Sequence, residues 1–212
     1  MAPIDHRNQY LKAALTEEDA GMDPIALFAR WMNDAPGGGQ PEPNAMALST
    51  MGSATISCRM VLLRGFDADG FVFYTNYNSR KAMDLERDPR CALTFFWPAL
   101  ERQVRIEGRA ERTTAEESDA YFATRPRESR IGAWSSDQSR AVDDRARLDE
   151  RYARWSERFG ADGEVPRPMH WGGFRVRPAR IEFWQGRGDR MHDRIAFDHL
   201  GDGRWARTRL QP

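Results

Sequence analysis

The sequence predicts a mainly β protein with flanking helices, an α+β arrangement around a closed or split antiparallel barrel. Strand-like runs recur from residue 45 to residue 209, and helical stretches are inserted between groups of them. A length of 212 residues suits one domain, and seven Trp and eleven Phe supply enough apolar volume for one packed core. We expect an N-terminal arm or lid over residues 1–20 and a single barrel domain over residues 21–212.

The first elements are predicted from capping signals and hydrophobic periodicity. Residues 1–20 are polar and indicate either a mobile arm or a short helix. Asp23-Pro24 combines an N-cap with proline at the first helical position, and a helix-period stripe follows at Ile25, Phe28 and Met32. The Gly- and Pro-rich run 36–43 ends this helix. Strands are expected at 45–50, 56–62 and 71–75, with a hairpin turn at 67–70.

The rest of the chain continues with short helices and strands. Ser79 is expected to begin a helix to about Arg87, and the capping box Thr114-x-x-Glu117 a helix to about Thr124. A proline at 126 then ends that helix and places Ser129 in a loop. A longer, highly charged helix is expected over 140–159. Further strands are expected at 91–97, 103–112, 173–176, 180–184, 195–198 and 204–209, with a turn at 201–203.

Composition argues against several classes of protein. The formal net charge is zero, whereas a nucleic-acid-binding protein usually carries a basic surplus. No stretch reaches the ~20 apolar residues of a membrane span, so a reducing, cytoplasmic setting is expected. Cys58 and Cys91 lie in strand-like runs, and we expect both to be small buried side chains. The four histidines have no metal-ligand spacing, so no metal is expected.

Three groups of polar residues could bind an anion, and each also has a purely structural interpretation. The first group is Ser79, Arg80 and Lys81, in the first turn of a predicted helix. The free N–H groups of that turn could bind an anion between the two cations, or the two charged side chains could simply face solvent. An apolar strand is flanked by Arg59 and Arg64, which either meet an anion or reach water at a barrel rim. A phosphate monoester would suit Tyr121, Arg125 and Ser129, which could equally form an ordinary helix end.

The C-terminal run 181–194 indicates a functional site more strongly than a surface ladder. Trp184 offers a flat apolar face for an aromatic ring. Arg190, His192 and Arg194 alternate along a possible strand and would then point the same way. Three cationic or titratable groups on one strand face are unfavourable without anions between them.

These residues resemble the pyridoxamine/pyridoxine 5′-phosphate oxidase family. The sequence RMHDR at 190–194, preceded by EFWQG at 182–186, resembles the family's C-terminal signature. Other blocks follow in the same order: RMVLLR at 59–64, FYTNYNSRK at 73–81, LERQV at 100–104, YFATRPRES at 121–129, IGAWSSDQS at 131–139 and WGGFRV at 171–176. The resemblance covers roughly residues 7 to 212.

The resemblance implies an FMN-binding split β-barrel that forms a homodimer with FMN at the subunit interface. The implied activity is oxidation of pyridoxamine or pyridoxine 5′-phosphate to pyridoxal 5′-phosphate in vitamin B6 metabolism, with oxygen reduced to hydrogen peroxide. The implied FMN-binding residues, some of them from the partner subunit, are Arg59, Met60, Val61, Leu62, Tyr74, Thr75, Arg80, Lys81, Gln103, Gln138, Ser139, Trp184 and Arg194. Substrate would meet Arg64, Tyr121, Arg125 and Ser129 through its phosphate, Arg190 and His192 (the implied catalytic pair) over its ring, and Arg7 and Tyr10 in an N-terminal lid.

The chain departs from the family pattern at two places. Arg64 stands where the family usually has Lys, so a planar fork replaces a point charge. The loop 52–56 lacks the usual Gly-x-Pro turn, which puts the local hairpin in doubt. Two other functions are compatible with these residues: a related FMN oxidase acting on another ring, such as a phenazine precursor, and a non-catalytic carrier of FMN or pyridoxal phosphate. A carrier would bind its ligand without consuming oxygen.

Overall fold

A computed structural model describes residues 10–212, and the implied lid residue Arg7 lies outside that range. Within it the helices are α1 (Glu17–Ala20), α2 (Pro24–Gly37), α3 (Arg80–Arg87), α4 (Ala115–Thr124), α5 (Arg127–Ser135) and α6 (Arg145–Phe159). The strands are β1 (Ala45–Met51), β2 (Ile56–Leu62), β3 (Gly65–Asp67), β4 (Gly70–Asn76), β5 (Arg90–Trp97), β6 (Arg102–Arg112), β7 (Trp171–Gln185), β8 (Asp193–Gly201) and β9 (Arg204–Leu210).

The strands form one antiparallel sheet whose two edges are joined by the chain itself. Neighbouring strands follow the order β2-β1-β5-β6-β7-β4-β3, and β8 and β9 extend the sheet from β7. The terminal strands of this order, β2 and β3, are separated in sequence only by Leu63 and Arg64. Leu63 N donates to Asn44 O beside β1, and Arg64 N donates to Val72 O on β4, both at 2.8 Å. This connection closes the sheet into a split barrel, as the sequence predicts.

Helix α2 supplies the aromatic centre of the core. Its start is fixed locally, because the Asp23 carboxylate accepts hydrogen bonds from Ile25 N at 2.9 Å and Ala26 N at 3.1 Å. Phe28, fully buried, then meets the rings of Phe71 and Phe95 with centroid separations of 4.9 and 5.1 Å. Truncating such a buried ring to Ala costs about 3–5 kcal/mol, so this helix end and the barrel interior stabilise each other.

Several local predictions are confirmed. The capping box that begins α4 has both of its hydrogen bonds, from Glu117 N to Thr114 Oγ1 and from Thr114 N to the Glu117 carboxylate. The β1–β2 hairpin forms despite its unusual loop, because Gly52 N donates to Thr55 O at 2.8 Å and closes the turn. Apart from the two expected strands that form β7, the expected strands of the barrel are present within three residues of their predicted bounds, with β3 as an additional short strand.

Helix α5 and the continuous strand β7 correct two predictions made from the sequence. Pro126 ends α4 but also stands at the N-cap of α5, where its missing N–H removes no hydrogen bond of the new helix, so Ser129 lies in a helix and not in a loop. The two strands expected on either side of Pro178 form one continuous strand, β7. The pairing with β6 shifts register at this point, because Gly108 lies opposite Pro178 but Glu107 lies opposite Arg180. The extra residue of β7, Ala179, forms a bulge that accommodates a proline unable to donate to the ladder. The charged helix α6 begins at Arg145, five residues later than expected, where Asp144 caps it.

The predicted row of Arg190, His192 and Arg194 on one strand is wrong. A short 3-10 turn, Gly188–Arg190, precedes β8, which begins only at Asp193. Arg190 has a φ of 59°, which no strand residue adopts. His192 therefore lies in the short connection between this turn and β8, and only Arg194 belongs to the strand.

The prediction that both cysteines are buried is confirmed for Cys91 but wrong for Cys58, which is exposed. Cys58 shares a face of β2 with Ile56 and Met60, which are 71% and 65% exposed. Alternation along a strand shows which residues share a face, but not whether another element covers that face. Within residues 10–212, no helix is both long and apolar enough to cross a membrane.

Candidate active site

A cavity of about 450 Å³ opens where β2, β4, α3, α4 and α5 meet. Ser129 of helix α5 lines this cavity, so the helix that was not predicted from the sequence is part of the site. The cavity brings together most of the sequence-predicted site residues: Met60, Val61, Leu62, Arg64, Tyr74, Thr75, Lys81, Tyr121, Arg125, Ser129 and Gln138. These residues come from five separate stretches of the chain, so the fold and not the local sequence assembles them.

Lys81 forms one corner of the cavity. Its Nζ donates to Gln138 Oε1 at 2.7 Å, to Thr75 Oγ1 at 3.2 Å and to Ser79 Oγ at 3.4 Å. No carboxylate within residues 10–212 forms an ion pair with it. Burial, and secondly the nearby positive charge of Arg59, lower the pKa of Lys81 from its ordinary 10.5 to about 8. A partly buried ammonium held only by neutral oxygens is suited to binding an anion.

Arg59, expected to bind a cofactor, is held mainly by the protein itself. Its guanidinium donates to Leu48 O at 3.0 Å, Thr50 Oγ1 at 2.8 Å and Ser57 Oγ at 2.6 Å. Asp84, 7% exposed, lies 3.8 Å from it. Arg59 thus links β1 and β2 to α3 and adds positive potential behind Lys81. Arg80, at the first turn of α3, is exposed.

A second corner of the cavity carries two guanidinium groups. Arg125 Cζ lies 4.5 Å from the centre of the Trp171 ring, and Arg64 Cζ lies 5.9 Å from that of Tyr121. Neither arginine pairs with a carboxylate in the part of the chain that the structure describes. Arg125 Nη1 is buried there without a hydrogen-bond partner. Burial lowers the pKa of Arg125, and the charge of Arg64 adds to this effect while Tyr121 opposes it.

Three aromatic rings lie nearly parallel beside these guanidiniums. Tyr74 and Tyr121 stack with centroids 3.9 Å apart, and Trp171 is tilted by only 9° and 5° from their respective planes. The arrangement gives the cavity a rigid aromatic wall next to its positive charge. Such a wall and charge suit an aromatic molecule that carries an anionic group.

The other predicted residues form a second cluster at the far end of β7. Tyr10, Trp184 and His192 are in mutual ring contact, with centroid separations of 5.5, 5.6 and 4.7 Å. Gln103 and Arg194 lie directly opposite Trp184 on the neighbouring strands, so the three share one face of the sheet. Tyr10 approaches closely because Gly186 has no side chain, and a Cβ there would lie 2.7 Å from the Tyr10 ring.

Arg194 is oriented by a buried carboxylate. Glu182, 3% exposed, accepts from Arg194 Nε at 2.8 Å and from Arg105 Nη2 at 2.7 Å. The hydrogen bond to Glu182 raises the pKa of Arg194 further above its ordinary range. His192 Nδ1 accepts a hydrogen bond from Arg187 N at 3.1 Å, which leaves Nε2 as the protonated nitrogen of the neutral ring. Arg190 and Ser139 are exposed, and neither lines the cavity.

The two clusters stand at opposite ends of one strand. Trp171 begins β7 and Trp184 lies near its end, roughly 40 Å further along the strand at about 3.3 Å per residue. The residues that line the cavity but were missed from the sequence are Asn76, Gly132, Ala133, Ser136 and Trp171. Small residues carry no chemical signal, but Trp171 opens the WGGFRV block and could have been included.

Comparisons with known proteins give consistent results. A family model described as pyridoxamine 5′-phosphate oxidase matches residues 40–159, and one described as pyridoxine 5′-phosphate oxidase C-terminal dimerisation region matches residues 171–212. The pyridoxine/pyridoxamine 5′-phosphate oxidase of Rubrobacter xylanophilus is 55% identical over 208 residues, which cover 97% of this chain and 94% of that protein. The protein of the same name from Burkholderia multivorans is 54% identical, with 98% of each chain covered.

Solved structures extend the comparison. PhzG from Burkholderia lata 383, in complex with tetrahydrophenazine-1-carboxylic acid, is similar with a TM-score of 0.88 at 30% identity, covering 95% of this chain and 99% of that one. A pyridoxamine 5′-phosphate oxidase-related, FMN binding protein from Nostoc punctiforme has a TM-score of 0.72 at 13% identity, which shows a shared fold alone.

Proposed function

The chain belongs to the pyridoxamine 5′-phosphate oxidase family, and from this premise we propose that it oxidises pyridoxamine and pyridoxine 5′-phosphates to pyridoxal 5′-phosphate. The amine substrate, oxygen and water would give the aldehyde, ammonia and hydrogen peroxide. The alcohol substrate and oxygen would give the aldehyde and hydrogen peroxide. The reaction would place the protein in vitamin B6 metabolism.

One observation carries the choice of substrate: two guanidiniums face an aromatic-walled cavity without a carboxylate partner in the described residues. A phosphate monoester carries a charge of about −1.5 to −2 at pH 7, which two arginines neutralise. Arg125 offers its unpartnered Nη1, and the Arg64 guanidinium lies beside the Tyr121 ring. The hydroxyls of Tyr121 and Ser129 would complete the phosphate site. The parallel rings then suit the pyridine ring of the same molecule.

The residues present also fit FMN. The Lys81 ammonium, held by neutral oxygens, fits its phosphate group, with Arg59 and Arg80 adding positive charge. Met60, Val61 and Leu62 of β2, with Tyr74, Thr75 and Gln138, would contact the rest of the cofactor, and Ser139 would lie beside them. FMN, when bound, supplies an acceptor for the two electrons of a hydride and a route for them to oxygen.

We propose that a homodimer completes this site. Gln103, Trp184 and Arg194 share a sheet face, and the C-terminal dimerisation match covers the last two. Trp184 and His192 of one copy would approach the substrate held by Arg64 and Arg125 of the other. His192 would move a proton at Nε2, Arg190 would orient the ring, and Tyr10 would exclude water.

A second candidate is supported by the PhzG comparison. A tricyclic carboxylic acid is also an aromatic anion, and the two guanidiniums could hold its carboxylate. The candidates differ in charge and size at the arginine corner, because a phosphate dianion uses both guanidiniums and a single carboxylate needs one. Substituting each arginine separately therefore distinguishes them.

The test is aerobic turnover of the FMN-loaded protein with pyridoxamine 5′-phosphate, pyridoxine 5′-phosphate and a reduced phenazine carboxylic acid, following oxidised product and peroxide together. Each of Arg64→Met and Arg125→Met is expected to raise KM for the B6 phosphates by about 10- to 150-fold, as for a lost charge-assisted hydrogen bond. Arg145→Met, on the exposed face of α6, is the matched control. Turnover of the phenazine alone would overturn the proposal, and FMN binding without any turnover would favour a carrier.

A further inference from the structure

Trp171 lies against the guanidinium of Arg125, in the corner of the cavity that we assign to the substrate's phosphate, and has no role in the function proposed above. It is the first residue of β7 and is 6% exposed. The guanidinium carbon of Arg125 lies 4.5 Å from the centre of its ring, closer than the 5.4 Å to the ring of Phe122. This is the distance of a cation–π contact.

Arg125 needs a partner of this kind. The structure shows no carboxylate paired with it in residues 10–212, and the like charge of Arg64 is close enough to disfavour its ionised form. A partly buried guanidinium without an anion is unfavourable. The negative face of an indole ring offsets part of that cost without using any N–H group of the guanidinium. Nη1 consequently stays free to bind a ligand.

Trp171 is itself anchored through its backbone. Its backbone N donates to Pro168 O at 3.0 Å, and its carbonyl accepts from Arg167 Nη1 at 2.7 Å. Arg167 Nε donates to the carboxylate of Asp119 in α4 at 2.6 Å, so Trp171 is linked to the helix whose C-cap is Arg125. Gly173 lets the Tyr74 ring lie beside the strand, because a Cβ at that position would be 2.8 Å from Tyr74 Cε1.

We propose that Trp171 is a positioning residue for the substrate's phosphate group, acting through Arg125. The ring face supports the guanidinium in the orientation that presents Nη1 to a phosphate monoester, before the ligand arrives. This proposal rests on the proposed function, since it assigns the Arg64–Arg125 corner to a phosphate.

Two variants of Trp171 distinguish the contribution of its π face from that of the volume the side chain fills. Trp171→Leu removes the π face, and we expect it to weaken binding of pyridoxine 5′-phosphate to the FMN-loaded protein by about 2- to 30-fold, the range of one cation–π contact. Trp171→Phe keeps a smaller face and should lose less. Binding of unphosphorylated pyridoxine should change by less than about twofold in both, which a merely structural role would not produce.

Trp155→Leu is the matched control, because Arg158 lies over the Trp155 ring at 5.1 Å and neither residue lines the cavity. It should leave phosphate selectivity unchanged. Equal weakening of phosphorylated and unphosphorylated ligands by Trp171→Leu would overturn the proposal, as would unchanged binding of both.

A second measurement does not depend on the leucine variant folding. Incorporating 5-fluorotryptophan weakens the π face without removing the ring, and should weaken pyridoxine 5′-phosphate binding in the unsubstituted protein but not in Trp171→Phe. Persistence of the fluorine effect in Trp171→Phe would overturn the assignment.

Inorganic phosphate separates this inference from the proposed function. We expect the FMN-loaded protein to bind inorganic phosphate, Arg125→Met to abolish that binding, and Trp171→Leu to weaken it. If all three results are obtained, the positioning role stands even if neither B6 phosphate is oxidised. If both B6 phosphates are oxidised but Trp171→Leu leaves phosphate binding and KM unchanged, the positioning role fails and the proposed function stands.

Discussion

Lys81 gives a prediction in which cofactor binding and stability change in opposite directions. We propose the substitution Lys81→Met, which keeps the length of the side chain and removes its charge. The ammonium donates to Gln138 Oε1 at 2.7 Å and more weakly to two hydroxyls. Loss of one charge-assisted hydrogen bond to the FMN phosphate corresponds to about 1.5–3 kcal/mol, so FMN affinity should fall about 10- to 150-fold.

The pH dependence follows from the pKa of the same group. In the free protein this pKa is lowered to about 8, mainly by burial and secondly by Arg59. The FMN phosphate is already a dianion well above pH 6, so Lys81 alone changes charge near pH 8. FMN affinity should therefore fall as the pH rises through about 8. The lowered pKa also means that charged Lys81 destabilises the free fold below pH 8, a cost relieved as the pH rises from 8 towards 10.5. Lys81→Met should consequently unfold at higher denaturant concentration than the unsubstituted apoprotein at pH 7.

The assay is quenching of FMN fluorescence on titration with apoprotein between pH 6.5 and 9.5. Lys12→Met is the matched control, because Lys12 and Lys81 are the only lysines in the chain and Lys12 Nζ bonds to Ala99 O outside the cavity. With ¹³C-labelled lysine, the NMR spectrum contains two side-chain signals, and the one lost in Lys81→Met reports the titration directly. An unchanged FMN affinity in Lys81→Met, or the same pH profile in both proteins, would refute the reasoning.

Three further predictions concern the rest of the molecule. Glu182→Gln should lower the free energy of unfolding by about 1–3 kcal/mol in urea denaturation, because it leaves two partly buried arginines without their carboxylate, whereas the exposed Glu150→Gln should have little effect. Arg209 holds the pKa of Glu17 near 2, so the stability lost in Glu17→Gln should be present above pH 4.5 and should vanish as the pH falls towards 2; a difference that persists at pH 2 would contradict this. Sedimentation equilibrium of the FMN-loaded protein at micromolar concentration should give about twice the 24.4 kDa chain mass, and a monomer with full activity would contradict the shared site.

Local signals in the sequence were sufficient for most of the elements. The Asp23 cap and the Thr114–Glu117 capping box each involve residues within one helical turn, and both form as predicted. The β1–β2 hairpin also depends on near neighbours. The predictions failed where a distant element decides the outcome. Pro178 remains within a strand because the pairing with β6 shifts beside it and leaves Ala179 of β7 without a partner. Cys58 is exposed because no element of residues 10–212 covers its side of β2.

The sequence by itself determined the kinds of residue available for the site, including the unusual Lys81, the arginines and the block that begins with Trp171. It also determined the family, because motifs that occur in a fixed order can be identified without any knowledge of the contacts between them. Only the tertiary structure decided that Arg64 and Arg125 share a cavity with Lys81, and that Trp184 and His192 lie at the other end of β7. The physical reason is range: caps and turns depend on a few neighbouring residues, whereas a site depends on burial and on pairing between strands far apart in sequence.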